Sequence, residues 1–429
     1  MKLRDYVVLV IIVGFFLQHA YCQSWSKLTP ATSEAPSPRL NGGGVYDAVG
    51  NRMVIFGGRN NGGSLNDVWA FDFNSNIWSD ITPSDTNAPK PRFAHNAIYD
   101  SKKRRMIIWS GQLTGIGFFN DVWAFDLATE TWNELTPDSG NPNKRYGAAS
   151  VYDAETNRLV TFAGFTDQGR FNDTQAFDLD SNKWIDLTPS GIKPEIRCLL
   201  TASYDSLRHR MLIYAGQHSG PLDDIWEFDL TLHTWANITP TIKPEARFYS
   251  SSISTSTALV IFGGNNGSVS LNDTWSFDLT TNSWNEFGGD SAPPAQRHGH
   301  NAIYLPQDNS MIIFGGSGSE LYNDIWKLNS IVTSVQHEPV IPQQSTLSQN
   351  YPNPFNPSTT ISYALAISQY VTLKIYNILG KELLTLVNAY QPAGAYSVRF
   401  EPMNTASGLY VYRLQTNVQV LTRSMMFLK

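Results

Sequence analysis

The heptapeptide Asn-Asp-Val-Trp-Ala-Phe-Asp stands at 66–72 and again, unchanged, at 120–126. Catalysis needs one copy of a motif, whereas a unit that packs against copies of itself needs several. Weaker copies follow at the same interval. Asn172-Asp173 leads to Gln175-Ala-Phe-Asp178, Asp223-Asp224 to Trp226-Glu-Phe-Asp229, and Asn272-Asp273 to Trp275-Ser-Phe-Asp278. Asn323-Asp324 leads to Trp326-Lys-Leu-Asn329, the sixth copy.

Each copy has four short pieces. An Arg-led segment ends near Tyr-Asp, as in Arg92-Phe-Ala-His-Asn-Ala-Ile-Tyr-Asp100. An apolar segment closes on glycine, as in Met53-Val-Ile-Phe-Gly-Gly58. The Trp-x-Phe-Asp segment comes third, and a piece such as Trp132-Asn-Glu-Leu-Thr-Pro137 comes last. All are rich in β-formers and bounded by Gly, Asn, Asp or Pro. The connections are too short for crossover helices, so the strands pair antiparallel. One four-stranded sheet cannot bury both faces alone, and six of them in a radial array can. Apolar residues at 41% and aromatics at 12% supply the core, while only 16% charged residues argues against a disordered or coiled-coil chain. The reading is an all-β, six-bladed β-propeller followed by a small C-terminal β-sandwich.

Tryptophans mark the packing columns. Trp69, Trp123, Trp226, Trp275 and Trp326 fall in the third strand. Trp78, Trp132, Trp184, Trp235 and Trp284 fall in the fourth, and Trp109 lies outside both columns. The sixth copy lacks a fourth strand, and Trp25-Ser-Lys-Leu-Thr-Pro30 precedes the first copy by one repeat. The N-terminal segment is therefore expected to complete the last blade and remove two open edges.

The glycine pair followed by two Trp within each unit resembles the kelch repeat, over roughly residues 24–330. Departures are Ser110-Gly111, Ala163-Gly164 and Ala215-Gly216 for Gly-Gly, and Gln175 for Trp. Galactose oxidase has a kelch-like propeller with a copper site built from a Tyr crosslinked to Cys, another Tyr and two His. Here only Cys198 can serve as that Cys, and no local pattern pairs it with histidines.

Residues 1–22 have the anatomy of a secretory signal: Lys2 and Arg4, an apolar run from Tyr6 to Leu17, then Ala20-Tyr21-Cys22. A lipid-modified Cys22 is the rival reading. Once the leader is removed, Cys198 is a lone and buried thiol. No other segment is apolar enough to cross a membrane, and the net charge of −6 gives no support for a nucleic-acid partner. The propeller is placed at 23–330 and a polar linker at 331–344, leaving 345–429 for the sandwich. There Tyr351-Pro-Asn-Pro-Phe-Asn-Pro-Ser-Thr-Thr-Ile361, Gly408-Leu-Tyr-Val-Tyr-Arg and the terminal Lys429 resemble the sorting domain of the type IX secretion system. The resemblance implies a partner in the outer-membrane export machinery, and release of the passenger or its attachment to the cell surface.

The long loops at 59–65, 112–119, 165–171, 217–222, 265–271 and 317–322 share one face with the head of each first strand, and loops on a rigid scaffold carry binding. Six arginines recur at those heads: Arg39, Arg92, Arg145, Arg197, Arg247 and Arg297. Either they tie blade to blade through carbonyls or a carboxylate, or they form an anion-receptive mouth. His95 and His300 occupy equivalent positions on the same strand column, with His298 beside them, and join the arginines as candidate ligand-binding residues. Three convergent metal ligands are not spelled, and no metal or other cofactor is expected. Asp72, Asp126, Asp178, Asp229 and Asp278 end third strands and read as turn formers. The expected function is an exported binding protein for a glycan or protein ligand. The alternative is an exported enzyme acting on acidic carbohydrate, either galactose-oxidase-like or sugar-isomerising.

Overall fold

A computed structural model describes residues 24–84, 87–287, 293–329, 331, 345–366, 369–391, 394–402, 406–416 and 419–428. The leader expected over 1–22 and nearly all of the linker expected over 331–344 lie outside these residues. The chain divides into two compact units, with described residues up to 331 in the first and from 345 in the second.

The first unit is built from six four-stranded antiparallel sheets. In blade 1 the strands run Gly43–Asp47, Arg52–Asn60, Gly63–Asp72 and Ile77–Asp80, from inside to outside. Blade 6 takes Asn301–Leu305, Ser310–Phe314 and Ile325–Asn329 from the end of the unit and its outer strand, Ser24–Leu28, from the beginning. Trp25 faces Leu328 in that pairing, as Trp78 faces Phe71 in blade 1. The first strands touch in cyclic order, the last against the first.

Hydrogen bonds trace the same circle. Asn41, Ala94, Gly147, Leu199, Tyr249 and Gly299, two residues after each arginine, adopt left-handed backbone with φ between 50° and 64°. Each donates its N–H to the carbonyl of its counterpart in the preceding blade, Asn41 reaching Gly299, over 2.6–2.9 Å. Left-handed backbone is costly for residues with a Cβ. At Ala94, Leu199 and Tyr249 this ring of six amides offsets that cost.

The fourth-strand indoles supply the contact between blades. Trp78 lies 4.9 Å from Phe314, Trp132 4.9 Å from Phe56, and Trp184 5.0 Å from Trp109, each on the second strand of the preceding blade. Trp235 against Phe162, Trp284 against Tyr214 and Trp25 against Phe262 repeat the geometry at 4.7, 4.9 and 4.7 Å. Trp109, which fitted neither sequence column, therefore belongs to a third aromatic column that receives the indoles. Trp235 donates its indole N–H to Thr174 and Trp25 to Thr274, at 3.1 and 3.3 Å. The residues at that point in the other blades are Val68, Val122, Ile225 and Ile325, and the indole N–H groups of Trp132, Trp184, Trp284 and Trp78 have no partner among the described residues.

The second unit is a β-sandwich. One sheet contains Thr346–Leu347, Thr359–Leu365 and Gly394–Phe400. The other contains Gln369–Asn377, Glu382–Gln391, Gly408–Thr416 and Val420–Phe427. Their inner faces share one core that includes Ile361, Leu373, Ile375, Tyr412 and Met425. Phe355, from the Pro-rich block, packs into it against Phe400 and Phe427. Residue 331, assigned to the linker from sequence, belongs instead to the last blade: Ile331 is buried and its N–H reaches the Asn309 carbonyl.

If the N-terminal strand seals the ring, Trp25→Ala should destabilise as much as a core tryptophan does, by about 3–5 kcal/mol. Urea unfolding of Trp25→Ala beside Trp78→Ala checks this. A loss under ~1 kcal/mol for Trp25→Ala alone would show that the segment is peripheral.

Candidate functional site

The six recurrent arginines do not reach open space. Each is at most 1% exposed. Each guanidinium makes a two-pronged ion pair with the aspartate of the Asn-Asp or Asp-Asp step in its own blade. Arg39 takes Asp67, Arg92 Asp121, Arg145 Asp173, Arg197 Asp224, Arg247 Asp273 and Arg297 Asp324, all with a shortest contact of 2.6–2.7 Å. A further N–H goes to the carbonyl of the residue closing the second strand, such as Ser110 for Arg92 at 3.1 Å. Nε goes to the carbonyl two residues back, such as Lys90 at 3.1 Å. Four of the five donors are thus spent in every copy, and Arg39 spends the fifth on Ser37 Oγ.

The third-strand tryptophans complete the arrangement. Trp69, Trp123, Trp226, Trp275 and Trp326 donate their indole N–H to the same aspartates at 2.7–2.8 Å. In blade 3 the amide of Gln175 stands in for the indole, 3.4 Å from Asp173. Burial opposes the charge on Asp121, Asp224, Asp273 and Asp324, but the arginine and indole donors outweigh it and hold these carboxyls below their ordinary pKa.

The expectation of a mouth lined by these six arginines is therefore corrected. Their charge is matched within each blade, and a ligand would have to displace a buried carboxylate to reach them. The aspartates that match them went unrecognised in the sequence. The signal was present, since every recurrent arginine is followed 26–29 residues later by the aspartate it binds.

His95 and His300 are also buried, 7% and 6% exposed, in the wall of the central channel. His300 Nε2 lies 2.5 Å from Ser251 Oγ of the preceding blade. At the equivalent point opposite His95 stands Gly43, and neither nitrogen of His95 has a partner among the described residues. Burial, and then repulsion from Arg92, lowers the His95 pKa to about 3. Burial, Arg297 and His298 push His300 in the same direction. His298 bonds elsewhere, with Nδ1 2.9 Å from Ser270 Oγ. Cys198 is buried as expected. Among the described residues no group of three His, Cys, Asp or Glu is placed to hold a metal. The aspartates that end third strands cap their turns, as Asp72 does by accepting from the N–H groups of Asn74 and Ser75.

On the long-loop face a different set of residues gathers, with Arg59 exposed, Arg170, Tyr146, Phe165 and Phe118 half-buried and Phe93 buried beneath them. Arg59 lies over Phe93 at 5.6 Å and Arg170 over Phe165 at 5.4 Å. Tyr146 links the two rings, 6.3 Å from Phe93 and 5.6 Å from Phe165, and Phe118 stacks on Tyr146 at 5.7 Å. Two small hairpins carry this strip, Gln112–Leu113 with Gly117–Phe118 and Phe165–Thr166 with Gly169–Arg170. Between them lies a groove of about 340 Å³, walled by Phe118, Phe171 and Lys144, with Ile116 70% exposed at its lip. Arg59 and Arg170 have no carboxylate within ion-pair distance among the described residues. Every other arginine of the propeller's described residues has one. Sequence reading placed both in long loops but could not tell them from the paired arginines.

Comparison with known proteins agrees with this architecture. A family model described as the KLHDC2/KLHL20/DRC7 Kelch-repeats domain matches residues 14–201, 80–238 and 189–347. A second, described as a secretion system C-terminal sorting domain, matches 349–427. The leucine-zipper-like transcriptional regulator 1 homolog of Drosophila melanogaster is 26% identical over 301 residues, 67% of this chain and 25% of that protein. Kelch domain-containing protein 3 of Bos taurus is 29% identical over 265 residues, 57% of this chain and 67% of its own length. The N-(sulfonatooxy)prop-2-enimidothioate sulfolyase of Thlaspi arvense is 26% identical over 177 residues, 39% of this chain and 49% of that enzyme. The match thus spans a quarter of the first relative, about two thirds of the second and half of the third.

Two measurements follow. Arg92→Ala strands the Asp121 charge and should cost about 3–5 kcal/mol, with Arg92→Met/Asp121→Leu costing less than the single variant; urea unfolding decides, and an unchanged midpoint for Arg92→Ala would refute the bracing role. His95 stays neutral in the folded chain down to about pH 3, while an unfolded histidine takes up a proton near 6.5. Stability should therefore fall as pH drops through that window, by about 1.4 kcal/mol per pH unit for each such histidine. His95→Gln should make the slope of unfolding free energy against pH shallower by one proton.

Proposed function

Because this chain belongs to the Kelch-repeat family and ends in a type IX sorting domain, we propose that it is an exported binding protein whose ligand docks on the strip from Arg59 to Arg170. The sorting domain points to secretion by the type IX system, to the medium or the cell surface. The observation that carries the docking site is the pair of arginines without carboxylate partners. Twelve arginines of the propeller's described residues are paired with carboxylates; Arg59 and Arg170 are not, and the half-buried Arg170 reaches only the Gln217 amide oxygen, at 3.4 Å.

The aromatic rings beneath them explain how that charge is held. A guanidinium lying on a ring keeps its planar edge free for a carboxylate, and the cation–π contact restrains an otherwise flexible side chain. Aromatic and arginine side chains together are also the groups that anchor protein interfaces. The ligand is accordingly a glycan or protein that presents carboxylates beside an apolar surface, and the apolar part meets the rings of Phe118, Tyr146 and Phe165. Hairpins stand at the same place in blades 1 and 5, but the rings and arginines they carry differ, so the surface differs from blade to blade as a site for an asymmetric ligand must.

Surface-plasmon binding of the full exported chain to an immobilised polyuronate and to an Asp/Glu-rich protein tests this. One of the two should bind, more weakly as salt rises, since exposed charges are screened beyond about 8 Å at physiological ionic strength. Arg59→Ala/Arg170→Ala should weaken that binding at least tenfold and leave the melting temperature unchanged. Equal binding by the double variant would overturn the assignment, and conversion of the glycan would replace a binding role with an enzymatic one.

A further inference from the structure

Exposed apolar side chains are shared unevenly between the two units. Seventeen large hydrophobic residues stand exposed among the described residues, and nine of them belong to the second, smaller unit. Strand register gathers six of those nine at one end of its four-stranded sheet. Asn377 pairs with Tyr410, Tyr376 with Glu382, Leu409 with Met426 and Gly408 with Phe427. Ile378 and Leu379 follow Asn377 in the turn, Leu383 and Leu384 follow Glu382, and Leu428 follows Phe427. All five therefore come to the end that holds Leu409. Ile378 and Leu379 are the most open, 70% and 86% exposed.

The fold does not require these side chains to be apolar. Asn377 closes the turn by accepting at Oδ1 from the N–H groups of Leu379 and Lys381, at 3.0 and 2.9 Å. Gly380 supplies the left-handed backbone, with φ 78°. The positions between such residues face water and are ordinarily polar. A water-facing surface seldom gathers so many apolar groups unless another surface covers them. Arg413 adds a charge beside the patch. Its guanidinium lies 4.9 Å from the centre of the Tyr376 ring, next to the turn. Glu382 is taken by Lys374 at 2.9 Å, and Arg413 has no carboxylate partner among the described residues. The surface that fits is apolar with an acidic group at its margin.

The match of this unit to a secretion system C-terminal sorting domain supplies the partner. It spans 349–427, which holds five of the six apolar residues and Arg413. A sorting domain is read by the system that sorts it, and reading needs a surface that folding leaves free. We propose that this end of the sheet, centred on Ile378 and Leu379, is where the type IX export machinery takes hold of the chain. The inference rests on the export reading given above and uses no residue of the Arg59–Arg170 strip.

Expression of the full chain in a bacterium that carries the type IX system tests the assignment. Ile378→Asp/Leu379→Asp should cut the amount reaching the medium or the cell surface at least tenfold and leave the chain in the periplasm. The melting temperature of the purified chain should not change, since both side chains are exposed. Ile378→Ser/Leu379→Ser, which suits the turn, should cut export several-fold and keeps the proposal decidable if the aspartate variant fails to fold. Val420→Asp alters an exposed residue that pairs with Gln415 at the opposite end of the sheet, and should be exported normally. Normal export of both turn variants would overturn the assignment, and so would an equal loss for Val420→Asp. A dimer in sedimentation that the turn variants split without loss of export would give the patch to a second copy of the chain instead. Retention of the wild type would remove the export reading itself, and this surface's partner with it.

Discussion

The structure depends on an arginine that is gripped from two blades at once. Arg92 shows how. Its guanidinium is committed to its own blade, through Asp121 and the carbonyl of Ser110. Its peptide is committed to the preceding blade: the N–H reaches the Leu65 carbonyl and its own carbonyl accepts from Gly58. The other five copies repeat both halves, and Arg39 reaches back to Tyr322 and Gly316 of the last blade. A buried ion pair is weak evidence for net stability, because desolvation offsets much of the attraction. Its contribution here is positional. An arginine that slid by one residue would leave an aspartate charge buried and an inter-blade carbonyl without a donor, so the pairing penalises every register but one.

Bracing at the strand heads leaves the flanks of the sheets to be closed by bulk. The outer indoles do that. Each lies between the second-strand aromatic of the preceding blade and, in every blade but the sixth, the third-strand phenylalanine of its own, as Trp132 lies 4.9 Å from both Phe56 and Phe125; in the sixth Leu328 takes that place. Most of the energy is area and contact, which have no preferred direction. That indifference is why four indole N–H groups stay unpartnered while two find a threonine: packing sets the geometry, and the hydrogen bond follows where the sequence permits. It is also why a segment from the far end of the chain can fill the last position, since Trp25 needs only to match shape.

How much of this was legible follows from the range of each interaction. Strand count, blade count and the role of Trp25 were readable because repetition multiplies a weak local signal sixfold. The sorting sandwich was readable because one continuous block, Tyr351–Ile361, carries it. The partner of the arginines was not read, since the pairing joins the head of the first strand to the head of the third across an intervening strand. The aspartates that drew attention, Asp72 and its relatives, lie at the other end of the third strand and cap turns. The strip on the loop face was illegible for a different reason. What distinguishes Arg59 from Arg39 is the absence of a carboxylate nearby, and absence is a property of the fold.

The repeat itself offers a rule for separating scaffold from site. A side chain found in all six blades answers a demand that all six blades make, and only packing and closure make such a demand. A ligand smaller than the ring, or one without six-fold symmetry, meets the blades unequally. Its site must be written in the departures. The recurrent arginines obey the repeat and are buried braces. Arg59 and Arg170 depart from it and are left without carboxylate partners among the described residues. Symmetry in the sequence therefore marks what holds this chain together, and broken symmetry marks where its chemistry with other molecules is to be sought.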